Sequence, residues 1–158
     1  DLDPVAEKAG ISIHFDDSAS QDWHTDVHTP DASALNNNIR NITGSYVLLY
    51  RAVYNLVENA IKYALEEIAD ECNIYITILH TEQLIYIYVK NDGSQFELGL
   101  LEKLRANPKN SRGFGIGLIN IDTRIKLTYG ENYGLDVYNE NNKAVARISI
   151  PFIQDEMN

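Results

Sequence analysis

Cysteine is nearly absent from this chain, and proline and methionine are scarce: Cys72 stands alone, with 4 prolines and 1 methionine in 158 residues. One thiol cannot close an internal disulfide, which excludes a disulfide-stapled scaffold and fits a reducing compartment. Long apolar runs are missing too. Apolar residues make up 44% of the chain, yet no stretch approaches the roughly 18 consecutive residues that span a bilayer. Cations are outnumbered, with 13 Lys and Arg against 23 Asp and Glu and a formal charge of -10. Phosphate backbones are bound by clustered Lys and Arg, so this balance argues against a nucleic-acid partner. The chain starts at Asp1 with neither an initiator methionine nor a signal-peptide pattern, and reads as a segment of a longer protein. Residues 1–158 suffice for one domain with one substantial core.

What is present is strong periodicity. Residues 11–15 alternate apolar and polar side chains, as a half-buried strand does. Asp16 to Asn38 is polar and reads as loop, followed by a short strand at 39–43 that Gly44 breaks. From Ser45 to about Ile68 the pattern turns helical: Leu49, Val53, Leu56, Ala60 and Tyr63 form one apolar stripe, with Ser45 as N-cap. A second stripe carries Arg51, Asn55, Asn59, Lys62 and Glu66. Strands at 73–80 and 84–90 make a hairpin, and a short helix is expected at 96–105. Another helix is predicted from about Ile116 to Tyr129, stopped by Gly130, and a last hairpin joins 133–139 to 143–150. This order predicts an α+β fold in two layers, a mixed and mostly antiparallel sheet backed by helices.

Three groups of residues carry chemistry. Asn55, Asn59 and Lys62 share one helix face. Carboxamide oxygens suit Mg²⁺, which keeps most of its waters and is usually shared with phosphates, and Lys62 could meet a terminal phosphate as a point charge. The plainer reading is a solvated face on which Glu58 and Lys62 pair. Next comes Gly113-Phe114-Gly115-Ile116-Gly117-Leu118, a glycine loop leading into a helix. Such glycines let backbone N–H groups approach phosphate, beside the positive end of the helix. No Gly-Lys-Ser/Thr follows, which excludes a P-loop. Third is Asn91-Asp92-Gly93 after a strand. It could present an oxygen to an adenine amino group, or it could be an ordinary turn. Asp22, His24, Asp26 and His28 alternate as metal ligands might be spaced, but in a polar segment they read as solvated.

Taken together, the string Asn55-Leu-Val-Glu-Asn59-Ala-Ile-Lys62-Tyr63-Ala resembles the N-box of sensor histidine kinases. Asn91-Asp92-Gly93 is similar to their first glycine box and Gly113 to Leu118 to their second. The continuation through Asn120, Arg124, Tyr129 and Gly130 is similar to the short-lid subgroup of LytS and YesM sensors, and the likeness spans about residues 11–152. The resemblance implies a Bergerat fold that binds ATP and Mg²⁺, with Asn59 on the metal, Asn55 supporting the phosphates and Lys62 touching them. It places Tyr63 against adenine, residue 91 on the adenine amino group, and Gly115 and Gly117 along the phosphates. Lys109 and Arg112, in the lid it implies, become candidate phosphate contacts.

The reaction so implied is transfer of the γ-phosphoryl group to a histidine. The acceptor is expected on dimerisation helices upstream in the same protein, not at His14, His24, His28 or His80. Other implied partners and surroundings are a response regulator and the cytoplasmic side of a membrane-anchored sensor, with the isolated domain a monomer. The sequence departs from the family at two positions: Asn91 replaces the usual Asp, and Gln95 stands where a second glycine is usual. Asn91 can still accept through its amide oxygen, and Asp92 could serve instead after a slip of one residue. Two rivals remain, an anti-sigma-type serine kinase and a nucleotide-binding module without enzyme activity. The first usually carries Glu where this chain has Asn55.

Overall fold

The computed structural model describes residues 11–16, 45–66, 72–107 and 114–152. In chain order they form β1 (Ile11–Asp16), α1 (Tyr46–Glu66), β2 (Cys72–His80), β3 (Leu84–Asp92), α2 (Leu100–Ala106), α3 (Phe114–Tyr129), β4 (Gly134–Glu140) and β5 (Lys143–Pro151). The expected strand at 39–43 and the Asp22 to His28 segment lie outside the described residues, as do Lys109, Arg112 and Gly113.

One five-stranded sheet runs in the order β1-β2-β3-β5-β4. β1 lies parallel to β2, with Ile13 opposite Ile74, and the other three pairings are antiparallel. In the central strand β3, alternation sorts the two faces. Ile85, Ile87 and Val89 join the main core, while Tyr86 and Tyr88 join a smaller cluster with Leu79 and Val145. The main core lies between the sheet and the helices: Leu56, Val57, Ala60 and Ile61 of α1 meet Leu118, Ile121 and Ile125 of α3 over Ile74, Ile87, Ile148 and Ile150. This is the expected two-layer α+β sandwich.

The helix ends have identifiable causes. Ser45 Oγ accepts the Leu48 N–H at 3.4 Å and so caps α1. The Ser45 N–H donates to the Tyr129 hydroxyl at 3.3 Å, fixing the start of α1 against the end of α3. Gly130 stops α3 with φ at 108°, its N–H bonded to the Lys126 carbonyl at 2.8 Å. Two boundaries correct the sequence reading. The short helix begins at Leu100 rather than 96, after Gly99 in the left-handed region. The helix expected from about Ile116 begins two residues earlier, at Phe114, so Gly115 is helical as well and the glycine segment Gly115 to Gly117 lies in the first turn of the helix and not in a loop before it.

Behind α3 sits a buried carboxylate that sets how the helix meets β4. Asp122 accepts from Arg105 Nε at 3.0 Å, Arg105 Nη2 at 3.1 Å and the Leu135 N–H at 3.0 Å, and pairs with Lys126 at 3.2 Å. A Cβ at Gly134 would stand 2.5 Å from Asp122 Oδ1, so only glycine lets the carboxylate reach the Leu135 amide. Among the described residues no helix is long and apolar enough to cross a membrane.

Candidate functional site

Where α1 leaves the sheet, a cavity of about 260 Å³ opens between the helix layer and strands β3 and β5. Its walls are apolar: Leu56 and Ala60 from α1, Leu118 from α3, and Val89, Ala144 and Ala146 from the strands. Polar groups enter at Asn91, Asn59 and the segment Ser94 to Glu97. Among the described residues of this lining the one titratable side chain is Glu97, which already pairs with Lys103. Apolar walls with a few convergent amides suit a flat, uncharged ring better than an ion.

Asn91 sits on the helix side of β3, opposite Ile74 and Ala144, and is buried. Its Nδ2 donates to the Asp92 carbonyl at 3.0 Å. One of the two amide N–H groups is thereby used, and Oδ1 is the group that can receive a hydrogen. Asp92 points elsewhere. Its Oδ2 accepts from Asn73 Nδ2 at 3.0 Å and its Oδ1 pairs with Lys143 at 2.8 Å. Burial raises the Asp92 carboxyl, but the bonds from Lys143 and Asn73 outweigh it, and its pKa lies below the ordinary carboxylate value. Of the two candidates for a base contact, the cavity holds Asn91 and not Asp92. Gly93 follows with φ at 113° and turns the chain into the rim. That rim is held by a reciprocal pair: the Phe96 N–H donates to Asn139 Oδ1 and Asn139 Nδ2 to the Phe96 carbonyl, both at 2.8 Å.

At the other end, Asn59 and Asn55 are half-buried on successive turns of α1, and neither has a hydrogen-bond partner among the described residues. Both amides are partly open to solvent and uncommitted among the described residues, so a ligand entering here could bond to them without breaking an internal contact. Asn59 lines the cavity, and Asn55 lines a smaller groove alongside it. Both face the first turns of α3. A Cβ at Gly117 would come 3.4 Å from Asn59 Nδ2, and one at Gly115 would come 2.6 Å from Leu104 Cδ2. The glycines therefore allow α1 and α2 to pack closely on the start of α3.

The remaining candidates are spread. Leu118 is fully buried in the cavity wall, whereas Ile116 is exposed away from it. Lys62 is exposed and pairs with Glu58 at 3.5 Å, the surface pair foreseen as the plainer reading. The side chains of Tyr63 and Phe114 are outside the described residues. Phe96, Leu100, Val89, Ala144 and Ala146 were not singled out from the sequence.

The residues fit a metal brought in by a phosphate-bearing ligand. Among the described residues no group of three or more His, Cys, Asp or Glu could hold an ion by itself. Asn59 offers one hard oxygen at the polar end of the cavity, and Mg²⁺ commonly takes one or two protein ligands with phosphates and waters.

Comparison with known proteins gives consistent matches. The family model described as histidine kinase-, DNA gyrase B- and HSP90-like ATPase matches residues 44–153. Over 88 residues the chain is 40% identical to the sensor histidine kinase YesM of Bacillus subtilis strain 168, a stretch covering 56% of this chain and 14% of that protein. It is 30% identical over 76 residues to the sensor protein LytS of Streptococcus mutans, covering 48% of this chain and 13% of that protein. The chain thus spans about one seventh of the length of these curated relatives. Among solved structures, the catalytic domain of histidine kinase ThkA aligns with a TM-score of 0.68 at 20% identity, covering 96% of this chain and 85% of that one. ThkA in complex with the response regulator protein TrrA gives 0.67 at 18% identity, covering 98% and 38%. At these identities the structural likeness shows the fold alone.

Proposed function

We propose, for a chain that belongs to the histidine kinase-, DNA gyrase B- and HSP90-like ATPase family, that it is the half of a sensor histidine kinase that holds Mg-ATP and presents the γ-phosphoryl group to a histidine elsewhere in the same protein. The observation that carries the reading is the polarity of the cavity. One end offers the acceptor Asn91 Oδ1, and the other offers the amide of Asn59 beside Gly117, with Asn55 in the adjoining groove.

In this reading adenine lies between Leu56, Ala60, Val89 and Ala146, with its exocyclic amino group donating to Asn91 Oδ1. Guanine carries a carbonyl at the corresponding position and would set acceptor against acceptor. The expected result for Asn91→Ala is a loss of about tenfold in ATP affinity, the scale of one buried hydrogen bond, with GTP binding unchanged. Calorimetric titration of both nucleotides decides this. Equal losses for the two would remove Asn91 from base recognition.

Asn59 would hold Mg²⁺, whose role is to neutralise phosphate charge. An imidazole nitrogen of the acceptor attacks the γ-phosphorus with its lone pair. The new N–P bond forms as the bond to the β,γ-bridging oxygen breaks, and ADP leaves with that electron pair. The domain supplies position and charge compensation. It does not supply a base for water. Asn55 occupies the place one helical turn before Asn59, and an amide cannot take a proton near neutral pH.

Purified with saturating Mg-ATP alone, the domain should therefore release phosphate far more slowly than about 1 per second, an ordinary enzyme rate. Supplied with the acceptor helices of its own protein, it should form acid-labile phosphate on histidine. Acid-stable phosphate would mean a serine kinase, and no transfer despite tight binding would mean a signalling module. The likeness to ThkA in its complex with a response regulator supports a response regulator as the next partner in line. A membrane-anchored sensor with this domain in the cytoplasm is part of the same proposal.

A further inference from the structure

Lys and Arg occupy nine of the described positions: 51, 62, 90, 103, 105, 124, 126, 143 and 147. Seven hold an ion pair: Lys62 with Glu58, Lys90 with Glu140, Lys103 with Glu97, Arg105 and Lys126 with Asp122, Lys143 with Asp92, and Arg147 with Asp136. Arg51 and Arg124 are the two that hold none among the described residues. In a chain of charge -10, these two guanidinium groups, without a carboxylate among the described residues, stand in one place. Both line a single groove of about 90 Å³ between α1 and α3, with Asn55, Gly117 and Asn120.

The groove continues the polar end of the larger cavity. On α1 the order away from the cavity is Asn59, Asn55, Arg51, each four residues from the last and so stacked one turn apart, at 5.4 Å per turn. On α3 it is Gly117, Asn120, Arg124, at spacings of three and four. The Ser45 to Tyr129 hydrogen bond at one end and the approach of Gly117 to Asn59 at the other set the two helices running in opposite directions, so the rows face each other in this order. Gly117 links the two: it lines the groove, and the position of its absent Cβ adjoins Asn59, which lines the cavity.

We propose that Arg51 and Arg124 receive the terminal phosphoryl group of the bound nucleotide and so distinguish a nucleoside triphosphate from a diphosphate. The inference rests on the Mg-ATP reading above. The ligand chemistry is a tetrahedral oxyanion with several equivalent oxygens. Two planar guanidinium forks can each meet two of these, which a lysine point charge cannot. In the transfer step they oppose the charge spread over the equatorial oxygens of the moving phosphoryl group.

The test is calorimetric titration with Mg²⁺ and either a non-hydrolysable ATP analogue or ADP, on the parent chain, Arg51→Gln, Arg124→Gln, the double variant and Arg124→Lys. Both arginines are exposed, so melting temperatures should stay close to the parent's. Each single Gln variant is expected to lose about tenfold or more in affinity for the triphosphate, the scale of charge-assisted hydrogen bonds, and less than twofold for ADP. The double variant should bind the two alike, and Arg124→Lys should recover only part of the preference. Parallel losses for both nucleotides, or an unchanged ratio in the double variant, would overturn the clamp while leaving the ATP reading in place. A parent chain that binds neither nucleotide would sink the ATP reading itself, and the clamp with it.

Discussion

Replacing Asn59 with alanine is expected to remove Mg-dependent nucleotide binding from a domain that stays folded. The reasoning starts from what the side chain does not do. Asn59 holds no hydrogen bond among the described residues and faces Gly117 across the open end of the cavity. Truncating it breaks no internal contact network, so the cost in stability should be small, within about 1 kcal/mol. Its amide oxygen is, in our proposal, the protein's own ligand to Mg²⁺. Even outer-shell partners of metal ligands typically carry 10–100-fold in affinity, and loss of the ligand itself should reach at least about a hundredfold. Titration of an ATP analogue with Mg²⁺, and again with EDTA, separates the terms. The variant should resemble the parent in EDTA and fall behind it only when the metal is present. Equal binding by parent and variant in Mg²⁺ would move the metal site elsewhere.

The largest effect on stability is expected far from that cavity, at Asp122. Its carboxylate is 4% exposed and is held by Arg105, Lys126 and the Leu135 N–H. Asp122→Ala strands that amide and two cations behind α3. Breaking a buried pair costs about 3–5 kcal/mol, and the partial exposure of Arg105, at 37%, argues for the lower end, about 3 kcal/mol. Burial raises the Asp122 carboxyl, but the bonds from Arg105, Leu135 and Lys126 together prevail, so its folded pKa lies below the ordinary carboxylate value. A depressed folded pKa stabilises the native state above the unfolded value. That contribution is lost as pH falls through the folded one. The urea midpoint should therefore drop below about pH 4. The drop should be shallower in Asp122→Asn, which cannot titrate there, with Asp92 accounting for part of the remainder. An unfolding free energy for Asp122→Ala within about 0.5 kcal/mol of the parent's, the range of ordinary surface changes, would refute the assignment.

How much of this was legible in the sequence depended on distance along the chain. The α1 stripe was plain because helical periodicity is local: Leu56 and Ala60 are buried, Leu49 and Val53 pack beside them, and Asn55 and Asn59 fall on the polar side. Glycine was ambiguous. It marks both loops that approach phosphate and helices that approach each other, and at Gly115 and Gly117 the described contacts are those of helices. Asn91 in place of the family's usual Asp looked like a weakness. The fold adds a contact that the sequence could not show, one Nδ2 hydrogen of Asn91 bonded to the Asp92 carbonyl. Ala144 and Ala146 reach the cavity only through strand pairing across some fifty residues, and no local pattern carries that information.

That same pairing has a kinetic side. β2 with β3 and β4 with β5 are joined by short connections, whereas β3 meets β5 only after a long loop has closed. Loop closure and distant pairings are the slow events of folding. The floor of the cavity is this seam, Val89 and Asn91 from one hairpin beside Ala144 and Ala146 from the other. A chain with both hairpins formed but not yet joined has no pocket, so nucleotide cannot recruit a half-folded molecule. It can only lengthen the life of a finished one, slowing escape from the native state without hastening arrival.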